Sequence, residues 1–305
     1  YGALSDRYPI LGYRRSYISG GAFICGVLLA YTPNATGKAG LTAALTLVSL
    51  LLCIADVGCD SMMVEFAAAG INIQSCCWLA RNIGGLAATG LSGIAYNVVG
   101  FGTTIRLEAV PLLIIAIYIW EIEEQRRTTN TAGKSIAAFL GMWRLLLFIL
   151  VCSLVPETGN ILFFELKSKG IGPIALSVIN IAGSLTACTV AFVYQFCTNN
   201  IHAVQMSLGL GVCSATCAVM ISLGGPVLQL AILRSILDGA GGMLMLLPIV
   251  IYTSKHCPKG SEGTTYSMVM AWLNLTAIVS ETIEGRVILA MGITKDDLSR
   301  ISLFF

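Results

Sequence analysis

Two apolar stretches of the chain contain ionisable residues at helical spacing. Asp56 and Asp60 are four residues apart, and Arg234 and Asp238 repeat that spacing, so each pair lies on one face of a helix. A charged side chain at membrane depth is costly and normally faces the interior of a bundle or a water-filled path. These residues are therefore expected to bind a polar substrate or to carry protons. A neutralised set of charges that holds helices together is the alternative.

Arg81 supplies a cation for the acidic pair. Arg81 follows the point at which the chain turns back after the second apolar run, so its depth in the membrane should be close to that of Asp60. An ion pair between Asp60 and Arg81 would leave Asp56 to titrate or to bind ligand. Trp78 and Trp272 are aromatic residues that could stack on a flat ring, with core packing as the alternative role for each. The residues expected to form the substrate or proton site are Asp56, Asp60, Arg81, Arg234 and Asp238.

Membrane helices must position these residues. The chain has 305 residues, of which 56% are hydrophobic and 11% are charged, whereas soluble domains carry about 25% charged residues. A helix needs about 20 apolar residues to cross a bilayer, and such segments cannot be open strands. The net charge of +2 and the lack of a basic patch argue against a nucleic-acid partner. The apolar runs predict an all-α, multi-span bundle with spans at 17–31, 41–66, 75–99, 106–122, 143–165, 171–196, 201–223, 226–252 and 264–284.

A polar segment divides these runs into two groups. We expect residues 1–120 to form an N-terminal helical bundle, residues 121–142 a central cytoplasmic linker and residues 143–305 a C-terminal helical bundle. Two pseudo-symmetric halves of this kind are typical of transporters, and a long loop in one continuous bundle is the alternative. The adjacent arginines at 14–15 and 126–127 favour placing the linker side in the cytoplasm.

The chain opens with a short charged loop. Residues 2–15 have the pattern G-x-L-S-D-R-x-x-x-x-G-x-R-R. Its charged residues are expected to meet an acid at the cytoplasmic end of the second span and to form a charge cluster at the cytoplasmic mouth. A surface loop that follows the positive-inside tendency is the alternative. The residues expected in the cluster are Asp6, Arg7, Arg14, Arg15 and Glu65.

This loop pattern resembles that of major-facilitator transporters. Residues 2–15, 55–65 and 257–266 together resemble the folate–biopterin (pteridine) transporter family, and the last block reads P-x-G-x-E-x-T. The resemblance implies a twelve-helix fold, in which 1–120 would run from the end of helix 2 to helix 6 and 143–305 from helix 7 to the start of helix 12. We therefore expect a bundle that is truncated at both ends.

The same resemblance implies that this cluster is a gating latch. In major-facilitator proteins the acid of this loop faces the N-terminus of the eleventh helix, where backbone N–H groups favour an anion. Here Asp6 would be that acid, and the helix would begin near Gly263–Thr264. The latch would hold the outward-open state.

The resemblance implies a secondary active transporter of folate- or biopterin-type pteridines that works by alternating access. The intramembrane acids favour proton coupling. A carboxylate such as Asp56 or Asp238 can accept a bidentate pair of hydrogen bonds from a pterin, and Arg81 or Arg234 would suit the anionic tail of a folate. The expected partners are a folate or pterin, protons and the lipid bilayer.

Other functions stay open. The same fold could carry another metabolite such as S-adenosylmethionine, or the chain could be a membrane scaffold or sensor that does not transport. No enzyme activity, catalytic residue, cofactor or metal site is expected, because the sequence lacks a P-loop and an H-E-x-x-H pattern. A plasma-membrane location is expected, with an organelle membrane as the alternative.

Overall fold

The described part of the chain is helical. A computed structural model describes residues 2–35, 37–68, 73–124, 133–154, 159–196, 200–294 and 301. The α-helices are α1 (Gly2–Arg7), α2 (Arg15–Tyr31), α3 (Gly37–Ala68), α4 (Gln74–Tyr118), α5 (Gly133–Gly141), α6 (Trp143–Ser153), α7 (Gly159–Ser168), α8 (Pro173–Tyr194), α9 (Asn200–Ser222), α10 (Val227–His256) and α11 (Glu262–Ala290). The predicted all-α class is confirmed.

Several of these helices are long and apolar enough to cross a membrane. In the described residues there are 6 such helices, or up to 7 if α5 and α6, which are bent by 61°, form one span. Large apolar side chains face outward, and Ile174, for example, is 84% exposed. An outward apolar surface is what helices surrounded by lipid require. The predicted spans that coincide with these helices are 17–31, 41–66, 106–122, 171–196, 201–223 and 226–252.

Helix α4 contains two of the predicted spans. The predicted break between 75–99 and 106–122 is a kink at one residue rather than a loop, because Gly100 adopts φ 78° and ψ 168° inside the helix. Glycine accepts this conformation without a clash of a Cβ atom. The helix therefore changes direction at Gly100 and continues to Tyr118.

The predicted fifth span, 143–165, is wrong in its bounds. Helix α5 begins at Gly133, within the predicted linker, and a turn at Met142 separates it from α6, which ends at Ser153. Helix α7 then forms a separate element. Residues 125–132 of the linker lie outside the described residues.

Packing groups the chain into two compact units. The first unit comprises Tyr1–Ile73, Ala87–Trp143 and Thr253–Met270. In its core Ile18 of α2 packs with Met62 of α3 and with Ile119 in the turn after α4. This packing fixes the entry of α2, and with it the charged loop that precedes that helix.

The second unit comprises Gln74–Leu86, Arg144–Tyr252 and Ala271–Phe305. Its core joins Leu166 of α7, Ile179 of α8, Ile221 of α9 and Ala231 of α10. Close packing of this kind stabilises helices in lipid, where no hydrophobic driving force separates apolar side chains from their surroundings. The boundaries of the predicted halves, 1–120 and 143–305, are not tested by this grouping and stay a prediction.

Candidate functional site

A fully buried arginine lies at the centre of the first unit. Arg14, in the loop between α1 and α2, has a side chain that is 0% exposed. Its Nη1 donates to Glu65 Oε1 at 2.6 Å, and its Nη2 donates to Asp6 and, at 3.3 Å, to Glu262 Oε2. Nη1 also donates to the carbonyl oxygen of Ser61 at 3.2 Å. We call Asp6, Arg14, Glu65 and Glu262 the Arg14 cluster.

The Arg14 cluster joins distant parts of the sequence. Asp6 and Arg14 belong to the opening loop, Glu65 to the end of α3 and Glu262 to the first turn of α11. Taking these charges out of water is costly, and the attraction among them offsets that cost only while all the partners are in place. The cluster is therefore suited to hold one arrangement of these segments and to oppose any partial separation.

Asp6 anchors the loop to the start of α11. Its Oδ2 accepts hydrogen bonds from the backbone N–H of Thr264 at 2.6 Å and from the Thr264 hydroxyl at 2.7 Å. The N-terminus of a helix carries partial positive charge, so a carboxylate is stabilised there. The helix begins at Glu262, next to the predicted start at Gly263–Thr264. A Cβ atom at Gly263 would lie 2.9 Å from Asp6 Oδ1, so the close approach needs glycine.

A second acidic residue binds the other side of the loop. Glu124, which follows α4, accepts hydrogen bonds from the backbone N–H groups of Arg14 at 2.8 Å and Arg15 at 3.0 Å. These N–H groups open α2, so the carboxylate caps that helix. The Arg15 guanidinium donates to the carbonyl oxygens of Trp120 at 3.2 Å and Ile122 at 2.9 Å. The loop is thus bound to α11 by Asp6 and to the end of α4 by Glu124.

A cysteine beside the Arg14 cluster reports its electrostatics. Burial raises the pKa of the Cys257 thiol to about 12, and the charges of Glu262 and Asp6 add to this rise, while Arg14 opposes it. Cys257 follows the last residue of α10 and is partly buried. Its thiol therefore stays protonated near neutral pH and reacts slowly with alkylating reagents.

The second unit contains an ion pair inside an apolar helix. Arg234 Nε donates to Asp238 Oδ2 at 3.3 Å within α10, and Asp238 Oδ1 accepts from the hydroxyl of Ser214 on α9. The Arg234 side chain is 6% exposed, whereas that of Asp238 is 53% exposed. The arginine is therefore held in the interior, and the carboxylate that it contacts is partly exposed.

The structure places the other predicted site residues separately. Asp56 is exposed and Asp60 is half-buried on α3 in the first unit, whereas Arg81 belongs to the second unit and lies over the Trp78 ring at 4.8 Å. The predicted pairing of Asp60 with Arg81, and the substrate roles of these residues, stay predictions. In the second unit the Trp272 indole N–H donates to the carbonyl of Leu146 at 2.9 Å and so joins α11 to α6.

Arg7 differs from the other charged residues of the opening loop. It is exposed, and its guanidinium lies 5.5 Å from the centre of the Tyr8 ring. The structure brings Asp6, Arg14 and Glu65 together directly, and it connects Arg15 through Glu124. The gating role of these residues stays a prediction.

Comparison with known proteins identifies the family. The model of the BT1 family matches residues 1–305. The chain belongs to the BT1 family. The folate-biopterin transporter of Synechocystis sp. is 25% identical over 332 residues, which cover 99% of this chain and 67% of that relative. Probable folate-biopterin transporter 2 of Arabidopsis thaliana is 22% identical over 337 residues, covering 99% and 68% of the two chains. No solved structure matches the chain.

Family membership and the apolar helices together establish that this BT1 chain is a multi-pass integral membrane protein. The curated relatives carry the names of transporters.

Sequence reasoning missed two carboxylates of this BT1 chain. Neither Glu262 nor Glu124, which lies within the predicted linker 121–142, was connected to Arg14. A signal was present for Glu262, because it is the acid of the P-x-G-x-E-x-T block. No local signal marked Glu124, which lies 110 residues from Arg14.

Proposed function

We propose that this chain belongs to a secondary active transporter of folate- or biopterin-type pteridines that works by alternating access and is coupled to protons. The names of the BT1 relatives support the substrate class. The observation that carries the transport mechanism is the Arg14 cluster, which is built around a fully buried arginine and binds the opening loop to the start of α11. A protein that only occupied the membrane would not need a buried charge cluster of this kind between the first and last parts of its chain.

The Arg14 cluster acts as the gate of this transporter. Its charges stabilise each other while they are dry, and each becomes costly when a partner leaves. The closed arrangement is therefore stable as a unit and opens as a unit. Asp6 and Arg14 lie in one predicted half and Glu262 and Thr264 in the other, so opening of the cluster releases one half from the other at this point.

Asp56 and Asp238 are the proposed substrate and proton carboxylates. Asp56 is exposed on α3 and the Asp238 side chain is 53% exposed on α10. Accessible carboxylates can exchange protons and can pair with the amino and ring N–H groups of a pterin. Their exposure separates them from the buried acids of the gate.

Uptake of labelled folate and biopterin tests this function. The full-length protein is expressed in cells that cannot make folate, and uptake is measured over a range of external pH with and without a protonophore. We expect uptake that rises as the external pH falls and is abolished by the protonophore. Asp56→Asn and Asp238→Asn should each lower uptake, whereas Glu121→Gln, at an exposed acid outside the long helices, should not. Equal uptake by cells with and without the protein would refute pteridine transport.

The substrate is tested in the same cells. An excess of unlabelled S-adenosylmethionine should leave pteridine uptake unchanged, while unlabelled pterin should compete. The reverse pattern would favour transport of the other metabolite. If none of these solutes shifts the thermal stability of the protein in detergent, the result would favour a role as a membrane scaffold or sensor.

A further inference from the structure

The second unit contains a cavity that the gate and the ion pair do not use. It has a volume of about 190 Å³ and lies among α6, α10 and α11. Most of its wall is apolar, and it is open on one side. We call it the serine cavity, after its two serines; its lining includes Ile149, Cys152, Ser153, Met245, Leu273 and Ser280.

Ser280 lies in the wall of the serine cavity and has an unused hydroxyl. The residue is 5% exposed, and its Oγ has no hydrogen-bond partner among the described residues. Its neighbour on the helix, Thr282, instead donates to the carbonyl of Ile278 at 2.8 Å. A hydroxyl that is buried without a partner costs free energy, which a bound polar group would recover.

Ser153 offers an acceptor at the same cavity. Its Oγ lies 3.0 Å from Thr276 Oγ1, and the Thr276 hydroxyl already donates to the carbonyl of Leu273 at 2.9 Å. Ser153 is therefore the donor in the serine–threonine bond, and its own lone pairs remain for another group. The two serines together provide one hydroxyl donor and several acceptor positions in the wall of an apolar cavity.

This combination fits a flat heteroaromatic ring. An apolar cavity of about 150 Å³ is known to hold a single benzene ring, so about 190 Å³ with an open side suits a ring system of two fused cycles. The apolar wall matches the ring faces, and the Met245 sulfur is a favourable neighbour for an aromatic ring. The hydroxyls match a ring edge that carries both N–H donors and nitrogen or oxygen acceptors.

The cavity shares a face of α10 with the ion pair of the second unit. At about 100° per residue, Arg234, Asp238 and Met245 lie within a stripe roughly 40° wide. Asp238 and Met245 are about 10 Å apart along the helix axis, and Arg234 is about 16 Å from Met245. A ring in the cavity that carries an anionic arm along this stripe would bring the arm to the arginine.

We infer that the serine cavity binds the bicyclic ring of the pteridine, with the ring edge on Ser280 and Ser153 and the substituent directed along α10 toward Asp238 and Arg234. This inference rests on the proposed function, since it names the place of the substrate ring. It differs from the carboxylate pairing considered above, because here the ring edge pairs with the serines and Asp238 is left to exchange protons beside the substituent.

Substitution at the serine cavity tests the inference. Ser280→Ala removes the hydroxyl without adding volume, and it should raise the concentration of unconjugated pterin that half-inhibits folate uptake roughly three- to tenfold. Ala277→Leu narrows the cavity and should abolish inhibition by pterin. Thr282→Ala is the matched control on the same helix and should behave as the wild type, because its hydroxyl bonds to its own backbone.

Alkylation of Cys152 gives a readout that does not depend on transport. Cys152 lines the cavity, whereas Cys213 is exposed on α9. Saturating pterin should slow the reaction of N-ethylmaleimide with Cys152, followed by mass spectrometry of the peptide, and should leave Cys213 unchanged. Ser280→Ala should weaken this protection at a fixed pterin concentration.

The outcomes separate the two proposals. Wild-type uptake of pteridine with unprotected Cys152 and normal inhibition in Ser280→Ala would overturn the cavity while leaving the transport function in place. A wild-type protein that takes up no pteridine would overturn the proposed function, and the cavity assignment would fall with it. Protection of Cys152 by pterin, together with weaker inhibition by pterin in Ser280→Ala, supports both proposals.

Discussion

The substitution Asp6→Asn should open the Arg14 cluster. The Asp6 carboxylate accepts two hydrogen bonds from Thr264, at 2.6 and 2.7 Å, and also accepts from Arg14. Asparagine has the same shape and keeps one acceptor oxygen, so packing is preserved while the charge is lost. The change therefore isolates the electrostatic part of the contact with α11.

The size of the effect follows from these contacts. Loss of the charge at the start of α11 costs about 0.5–1 kcal/mol, and removing one partner of a buried ion pair costs about 3–5 kcal/mol when no other partner remains. Glu65 and Glu262 still contact Arg14, so this second loss falls below that range, to about 2 kcal/mol. A total of about 3 kcal/mol corresponds to a roughly 100-fold shift from the closed to the open cluster.

The reactivity of Cys257 measures this shift. Its thiol is held protonated by burial, then by the charges of Glu262 and Asp6, and opening removes all three effects. In Asp6→Asn, alkylation of Cys257 by N-ethylmaleimide at pH 7.5 should be faster by about two orders of magnitude. Cys213 is the internal control, and Glu121→Gln is the matched variant that should leave the rate unchanged. A folded Asp6→Asn protein whose Cys257 reacts at the wild-type rate would refute the latch.

Three further predictions concern other contacts. The rate of Cys257 alkylation in the wild type should rise with pH up to about 12, whereas the rate for a free thiol levels off above its pKa of about 8.5. The bound proton contributes its full stability below a pH of about 8.5, and this contribution is lost as the pH rises toward 12. Glu124→Gln should weaken the cap of α2 by about 1 kcal/mol and speed hydrogen exchange in its first turn roughly fivefold; unchanged exchange would contradict the cap. Gly239→Ala should lower the melting temperature in detergent, because the added methyl group would overlap the carbonyl of Gly183 on α8. Gly242→Ala is the control and should not lower it, because a Cβ atom at Gly242 meets open space in the described structure. Equal melting temperatures for the two variants would contradict the close approach of Gly239 to Gly183.

The helical class was predictable from the length of the apolar runs, whereas the form of the helix interruptions was not. A run of about 20 apolar residues has few options in lipid. The break at Gly100 depends on one backbone conformation that glycine permits but does not require. The separation of α5 from α6 at Met142 follows Gly141, but a single glycine within an apolar run does not by itself reveal a break.

Site contacts within one helix were predictable, and contacts between helices were not. The spacing of Arg234 and Asp238 gave a shared face, and the structure contains their ion pair at 3.3 Å. Helical periodicity carries no information about partners in other helices, so it could not connect Arg14 with Glu124 or with Glu262, which is 248 residues away. The serine cavity was missed for the same reason, because an isolated serine in an apolar run has no distinctive pattern.

Burial separates two kinds of charge in this protein. A latch must be dry, because solvent would screen the attraction between Arg14 and its acids and reduce it to the small value of a surface ion pair. A carboxylate that binds substrate or exchanges protons must instead be reachable, as Asp238 is with a side chain 53% exposed. The same residue types can therefore serve opposite needs, and exposure rather than sequence spacing distinguishes them. This difference in exposure is the basis for proposing that the acids around Arg14 control conformation and that Asp56 and Asp238 meet the substrate.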